Sequence, residues 1–165
     1  KNTFADVTYL AGLMDASGTR PEIEIYDVGH LFNLRQLVKE GVLSPPFNIQ
    51  FVLGVLGANM VEPDQLIHML RTAERIFGMD SFTWSAAGVG YPGEFQLAAL
   101  SMMLGGNIRV GLEDNLRVRR SENAKSNVEL VEKAVALADL FDRVPATPAE
   151  ARAHLGLKGS QDTDF

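Results

Sequence analysis

A short run of charged residues is the part of this sequence best suited to chemistry. Arg109, Glu113 and Asp114 lie within six residues, where an apolar stretch that begins at Ile108 comes to an end. A carboxylate beside an arginine is held in its ionised form, so it can serve as a base or bind a metal ion. Glu24, on the polar face of another predicted strand, is a further candidate. We therefore expect acid–base or metal chemistry from these residues.

Composition limits the classes of protein to which this chain can belong. It has 165 residues, 46% of them hydrophobic, with a net charge of -6 and no cysteine. The absence of cysteine excludes a disulfide scaffold, a thiol nucleophile and a zinc site with sulfur ligands. The acidic balance argues against nucleic acid as the main partner, and no run approaches the roughly 18 apolar residues of a membrane-spanning helix. Because the sequence opens at Lys1 without an initiator methionine, we expect the natural start upstream.

Short strands rich in β-branched residues alternate with longer helical patterns along the chain. The predicted strands are 23–28, 48–56, 81–87 and 108–112, and the predicted helices are 3–17, 31–39, 63–77, 93–104, 124–141 and 147–155. Four successive βα units predict an α/β fold with a parallel sheet covered by helices. Such a sheet is either half of a (β/α)₈ TIM barrel or an open doubly wound sheet. Residues 159–165 are predicted to be a frayed tail.

Alternation along the strands places polar residues on one face of the sheet. Glu24, Gln50, Arg109 and Glu113 lie opposite the apolar rows, and Asp114 falls just beyond the last strand. In a barrel the apolar rows face the helices, so these polar side chains would face the lumen. Buried charge is costly unless it is paired or bound to a metal, which makes this face a candidate site. The alternative is a structural ion pair between Glu24 and Arg109 that fills the barrel.

Other candidate residues give weaker indications of function. Glu22 is expected to be a carboxylate at a strand end in solvent, and His30 is expected to have a structural role where a helix begins. The run Gly88-Val89-Gly90 is similar to the start of a turn that cradles phosphate, but it lacks the third glycine of a dinucleotide-binding fingerprint. An open flavodoxin-like module that binds a phosphorylated ligand through such turns is therefore a further alternative.

Several segments resemble the β-keto acid cleavage enzymes. The specific part is the run 106–115, Gly-Asn-Ile-Arg-Val-Gly-Leu-Glu-Asp-Asn, and looser matches lie in 21–30, 51–54 and 84–90. The resemblance extends from about residue 19 to residue 157. It implies a zinc-dependent (β/α)₈ barrel, of which residues 1–165 supply the last four βα units. It also implies that the protein is a cytoplasmic homotetramer. It also implies an enzyme that converts a β-keto acid and acetyl-CoA into acetoacetate and a new acyl-CoA.

The same resemblance assigns roles to individual residues. Glu113 would be a zinc ligand, Asp114 the base that removes the acidic proton, and Arg109 the partner of that base. Glu24 would be a carboxylate near the substrate. The family's other zinc ligands form a His-x-His pair that occurs nowhere in this sequence. We therefore expect this chain to be the C-terminal half of the barrel, and an inactive half-barrel that holds no metal is the alternative.

Two further features concern the binding of substrate and CoA. In segment 90–96 the family tends to have a shorter turn with a basic residue, so binding of substrate or CoA would differ here. The chain has no basic groove, so local cations or backbone amides must meet the CoA phosphates. Four candidate cations follow the last predicted strand: Arg117, Arg119, Arg120 and Lys125. Such residues more often lie in solvent at the start of a helix.

Overall fold

A computed structural model describes residues 2–159 and 162–163 of the chain. The helices are α1 Phe4–Ala16, α2 Val28–Lys39, α3 Pro63–Phe77, α4 Gly93–Met103, α5 Asn127–Asp139 and α6 Pro148–Leu155, with a 3₁₀ turn at Met79–Ser81. The strands are β1 Glu22–Ile25, β2 Phe47–Leu53, β3 Phe82–Gly88, β4 Asn107–Ile108, β5 Arg117–Arg119 and β6 Glu122–Asn123. Every predicted helix and strand is present, whereas the antiparallel β5–β6 hairpin was not predicted.

The four main strands form a parallel sheet in the order β1-β2-β3-β4. A doubly wound sheet reverses its strand order at a switch point, and these four strands contain no reversal. Helices α2, α3 and α4 pack against the strands that carry the apolar rows. Sequential order with helices on the apolar face is the arrangement of a (β/α)₈ barrel segment. The described strands therefore agree with part of such a barrel, without closing one.

The hydrophobic core lies between the sheet and these helices. It includes one face of the strands and the inward stripes of α2, α3 and α4, represented by Ile25, Ile49, Phe51, Leu53, Leu34, Leu66, Met69 and Leu97. Polar side chains occupy the other face of the sheet, where Glu24 pairs in register with Gln50 and Gln50 with Ser85. The predicted separation of apolar and polar rows is therefore confirmed.

Strand β1 is shorter than predicted because the next helix starts early. The side chain of Asp27 accepts a hydrogen bond from the amide of Gly29 at 2.7 Å and so caps α2. The helix consequently begins at Val28 rather than at Leu31, and the strand ends at Ile25.

Strand β4 also ends earlier than the predicted 108–112. The amide of Arg109 still bonds to β3 at 3.1 Å, but the chain then leaves the sheet. The amide of Asp114 donates to the carbonyl of Gly111 at 3.0 Å, so this segment is a turn rather than a strand. The turn starts at Gly111, three residues after Ile108, the last paired residue of the parallel sheet.

The end of the chain returns to the polar face of the sheet. The side-chain amide of Asn48 donates to the carbonyl of Leu155 in α6 at 3.4 Å, and the side-chain oxygen of Asn48 accepts from the Thr83 hydroxyl at 2.6 Å.

Helix α5 is shorter than the predicted 124–141, because β6 and an extended Ser126 precede it.

The predicted frayed tail falls largely on residues 160, 161, 164 and 165, which lie outside the described residues. None of the described helices combines the length and the apolar character needed to cross a bilayer.

Candidate active site

The guanidinium group of Arg109 is the centre of a cluster of polar side chains. Its Nε and Nη2 donate to the two carboxylate oxygens of Asp114 at 2.9 and 3.1 Å. Its Nη1 donates to Glu24 at 3.1 Å and to the side-chain oxygen of Gln50 at 2.8 Å. A carboxylate oxygen of Glu113 lies 3.0 Å from Nη2. The structure therefore brings all four predicted site residues together, and Gln50, which was predicted on the same face, joins them.

The two neighbouring carboxylates differ sharply in their surroundings. The side chain of Asp114 is 6% exposed, whereas that of Glu113 is 84% exposed. Burial lowers the pKa of Arg109, but the hydrogen bond and charge of Asp114, with the charges of Glu113 and Glu24, more than compensate and raise it above its usual value. A permanently charged arginine thus makes a paired, charge-assisted contact with a buried carboxylate.

One prediction about this cluster was wrong in its geometry. Arg109 and Glu113 were expected to share a strand face, but Glu113 lies beyond β4 in the turn 111–115. The turn itself carries Glu113 and Asp114 back towards Arg109. The proximity of these residues is therefore confirmed, although a turn and not strand alternation produces it.

A buried glutamate in the first turn of α4 holds this turn in place. Glu94 is 1% exposed, and it accepts hydrogen bonds from the amide of Gly111 at 2.8 Å and the side chain of Asn115 at 2.9 Å. Burial raises the pKa of Glu94 despite these two donors. The amide of Gly90 also donates to the carbonyl of Asp114 at 2.8 Å. Sequence reasoning missed Glu94, because an acidic residue at a helix N-terminus is common without any other role.

Tyr26, just beyond β1, fixes the second oxygen of Glu24. Its hydroxyl donates to that oxygen at 2.7 Å, and this bond together with burial and the Glu24 charge raises the pKa of Tyr26 to about 12. Glu24 is therefore held between Tyr26 and Arg109. Tyr26 is two residues after Glu24, so strand alternation puts both on the same face, but this position alone gives no reason to assign Tyr26 a role.

Gln50 links the cluster to the rest of the polar face. It is 4% exposed, and its amide nitrogen donates to Glu22 at 3.1 Å and to the Ser85 hydroxyl at 3.2 Å. Glu22 is exposed, as expected of a carboxylate at a strand end, but it also belongs to this network. Burial and the nearby charge of Glu24 raise the pKa of Glu22, and Arg109 opposes them.

The donor set of the described residues does not make a zinc site. Within residues 2–159 and 162–163, no three His, Cys, Asp or Glu side chains are placed to hold a metal ion. A catalytic zinc normally has three protein ligands, and Glu113 offers one.

His30 accepts a hydrogen bond on Nδ1 from the amide of Tyr26 at 3.3 Å, which fits the predicted role of His30 at the start of a helix.

In the glycine-containing turn after β3, the amides of Val89 and Gly90 are already engaged and are not free to bind a phosphate. The amide of Val89 donates to the carbonyl of Leu53 at 2.8 Å, and that of Gly90 donates to Asp114. Gly90 has a φ of 84°, which favours glycine, and a Cβ at Gly88 would lie only 2.7 Å from the carbonyl oxygen of Gly93, so the turn is built for close backbone contact. These contacts argue against a phosphorylated ligand in the turn.

Comparison with known proteins gives the cluster its context. A family model described as beta-keto acid cleavage enzyme matches residues 1–157. The 3,5-dioxohexanoate:acetyl-CoA acetone transferase of Paraburkholderia graminis is 44% identical over 165 residues, 100% of this chain and 53% of that protein. The 3-keto-5-aminohexanoate cleavage enzyme of Acetoanaerobium sticklandii is 38% identical over 94% of this chain and 55% of its own length.

A third relative, the 3-oxoadipate:acetyl-CoA acetyltransferase of Cupriavidus necator, is 37% identical over 92% of this chain and 52% of its own length. The chain thus spans about half the length of these curated relatives. A family model over 157 residues and identities of 37–44% lead to one assignment. The chain belongs to the β-keto acid cleavage enzyme family.

Proposed function

We propose that this chain is part of an enzyme that exchanges acyl groups between a β-keto acid and acetyl-CoA. The bond between C2 and C3 of the β-keto acid breaks, and C2 forms a bond to the carbonyl carbon of the acetyl group. The CoA thiolate leaves the acetyl group and takes the remaining acyl group. The products are acetoacetate and a new acyl-CoA, so all atoms and charges are conserved. The observation that carries this proposal is the convergence of Asp114 and Glu24 on Arg109 in a chain of this family.

Asp114 is proposed as the base that starts the exchange. The protons on C2 of a β-keto acid are acidic because a keto group and a carboxylate flank that carbon. Arg109 occupies one lone-pair position on each oxygen of Asp114. A carboxylate has about four such positions, so Asp114 can still accept a proton. The two parallel bonds also fix the orientation of the base, which proton transfer from carbon requires.

Glu24 is proposed to lie beside the substrate as a fixed carboxylate. Its two oxygens are held by Arg109 and by Tyr26 at 3.1 and 2.7 Å, so its side chain has little freedom to rotate. The ion pair of Glu24 with Arg109 also matches the structural alternative, and the two roles are compatible. A carboxylate so restrained can orient substrate without rearrangement.

We further propose that the complete protein depends on zinc, with Glu113 as one ligand. When bound, zinc would polarise the keto oxygen as a Lewis acid. The described residues do not form a ligand set, so the other ligands would come from outside this chain. The family resemblance also supports a closed (β/α)₈ barrel with residues 1–165 as its C-terminal half, a homotetramer, and a cytoplasmic location. An inactive half-barrel remains the second candidate, because the described residues do not complete the metal site.

The proposal is tested on the full-length protein that carries this chain. We expect the purified protein to contain zinc and to form acetoacetate and a new acyl-CoA in equal amounts from acetyl-CoA and at least one β-keto acid of a panel. A zinc-containing protein that forms no acetoacetate with any member of the panel would refute the proposal. A full-length protein that binds no zinc and is inactive would support the inactive half-barrel instead.

A further inference from the structure

A basic hairpin follows the candidate base directly in the chain. Strands β5 and β6 form it, and residues 117–125 carry four exposed cationic side chains and one carboxylate, Glu122. The chain as a whole has a net charge of -6, so the hairpin is a local positive region in an acidic protein. The cations are Arg117, Arg119, Arg120 and Lys125.

The hairpin is held firmly relative to Asp114. Asn115 is 3% exposed, and its side chain donates to the carbonyl of Arg117 at 2.7 Å and accepts from the amide of Arg117 at 3.0 Å. The same side chain donates to Glu94, which also holds the turn of the candidate site. On the other side of the hairpin, the ammonium group of Lys133 donates to the carbonyl of Val118. One buried network therefore positions the base and the basic hairpin together.

The cations of the hairpin are only weakly engaged with neighbouring carboxylates. Arg119 and Glu122 are 3.9 Å apart, and Lys125 and Glu129 are 4.0 Å apart. The side chains of Arg119 and Lys125 are 79% and 85% exposed. Exposed pairs of this kind contribute little free energy. An incoming anion can therefore replace the carboxylates of Glu122 and Glu129 with little loss of free energy.

The distance along the chain suits a ligand with its anionic groups far from its reactive end. Arg117 is three residues from Asp114, so their Cα atoms are at most about 11 Å apart, and Arg120 can be at most about 22 Å away. In acetyl-CoA a long flexible arm separates the thioester from the phosphate groups. A phosphate bound by the hairpin would leave the thioester free to reach the cluster around Arg109.

We propose that the β5–β6 hairpin, with Lys125, binds the phosphate groups of acetyl-CoA. This inference rests on the proposed acyl exchange, since that reaction requires acetyl-CoA at the same site. Arginine is well suited to the role because its planar donors match phosphate oxygens. A free nucleotide presents the same phosphate chemistry, so the experiment must separate the two ligands.

Calorimetric binding to the full-length protein tests this inference. The probes are CoA, ADP and pantetheine, and the variant is the double substitution Arg119→Ala with Arg120→Ala. We expect the Kd for CoA to rise about tenfold or more, since two charged donors are lost, and the Kd for pantetheine to stay unchanged. The salt dependence of CoA binding should also decrease in the variant. Arg71→Ala, exposed on α3, is the matched control and should bind CoA like the unmodified protein.

Three results would overturn the inference. The first is a change in the Kd for CoA of less than about twofold in the double variant. The second is an equal loss of pantetheine binding, which would indicate a general disturbance of the site. The third is ADP binding as tight as CoA binding and equally weakened, which would indicate a nucleotide site. Because binding needs no turnover, CoA binding at the hairpin without acetoacetate formation would refute only the proposed function.

Discussion

Replacing Arg109 by lysine tests whether guanidinium geometry, and not charge alone, organises the candidate site. Arg109 makes two parallel bonds to Asp114 and also reaches Glu24 and Gln50. A lysine ammonium group is a compact point charge, so it cannot reproduce the parallel bonds and the wider reach together. We expect Arg109→Lys to keep the positive charge but to remove at least one of the two bonds to Asp114.

The size of the effect follows from the burial of the pair. The side chains of Arg109 and Asp114 are 27% and 6% exposed, so the lost bond is only partly replaced by water. A hydrogen bond between charged groups contributes about 1.5–3 kcal/mol, and we take about 2 kcal/mol here. Since 1.36 kcal/mol corresponds to a tenfold change in rate, kcat/KM should fall about 30-fold.

Arg109→Met removes the charge as well as the bonds. Asp114 would then be buried without its cation, and breaking a buried pair costs about 3–5 kcal/mol. Because Arg109 is partly exposed, we expect the lower end, a loss of about 3 kcal/mol in the free energy of unfolding. The lysine variant should lose less than the methionine variant, because it keeps a positive charge beside Asp114.

Both variants are measured in the full-length protein by acetoacetate formation and by urea unfolding. Arg35→Lys, exposed on α2, is the control for the arginine-to-lysine change and should leave both quantities unaltered. A kcat/KM for Arg109→Lys within about threefold of the unmodified protein would refute the argument from geometry. A loss of activity matched by an equal loss of folded protein would show that the effect is on stability alone.

Four further substitutions test neighbouring groups. Asp114→Asn should lower kcat by about 10²–10⁴-fold in steady-state assays, because an amide cannot accept the proton. The pH titration of tyrosinate absorbance should show a group near pH 12 that is absent in Tyr26→Phe. In Glu24→Gln this group should titrate closer to about 10, the usual tyrosine value. The free energy of unfolding should fall as pH rises from 4.5, the ordinary value for Glu94, through its raised native pKa, because the native state keeps that proton longer. Glu94→Gln should lack this decline in urea unfolding measured across pH.

A specific result would contradict each of these predictions. Full activity of Asp114→Asn would remove the proposed base. A tyrosine titration that does not change in Tyr26→Phe would show that the hydroxyl is not held by Glu24. A pH dependence of unfolding that persists unchanged in Glu94→Gln would assign it to other carboxyl groups.

Strand periodicity was enough to predict the polar face of the sheet. A period of two depends only on the order of residues, so Glu24 and Gln50 could be placed opposite the core from their sequence positions alone. The same rule failed after Ile108, because Val110 and Leu112 continue the apolar alternation while the backbone turns at Gly111. Alternation alone cannot distinguish a strand from a turn with this pattern.

Contacts between distant segments were beyond the reach of sequence patterns. The hydrogen bond from Asn115 to Glu94 spans 21 residues and depends on how α4 packs beneath the turn. The β5–β6 hairpin was also missed, since charged residues dominate its strands and hide any alternation. The cluster of Arg109 with Glu24 was predicted because strand order and face follow from the βα repeat.

The most direct test of the proposed reaction follows the acetyl carbons of acetyl-CoA. Acetyl-CoA labelled with ¹³C at the acetyl carbonyl is given, with a β-keto acid that the enzyme accepts, to the full-length protein and to its Asp114→Asn variant. NMR of the products should show the label at C3 of acetoacetate for the unmodified protein and none above background for the variant. Label that remains in acetyl-CoA or appears in free acetate, or labelled acetoacetate formed equally by the variant, would contradict the proposed exchange at this site.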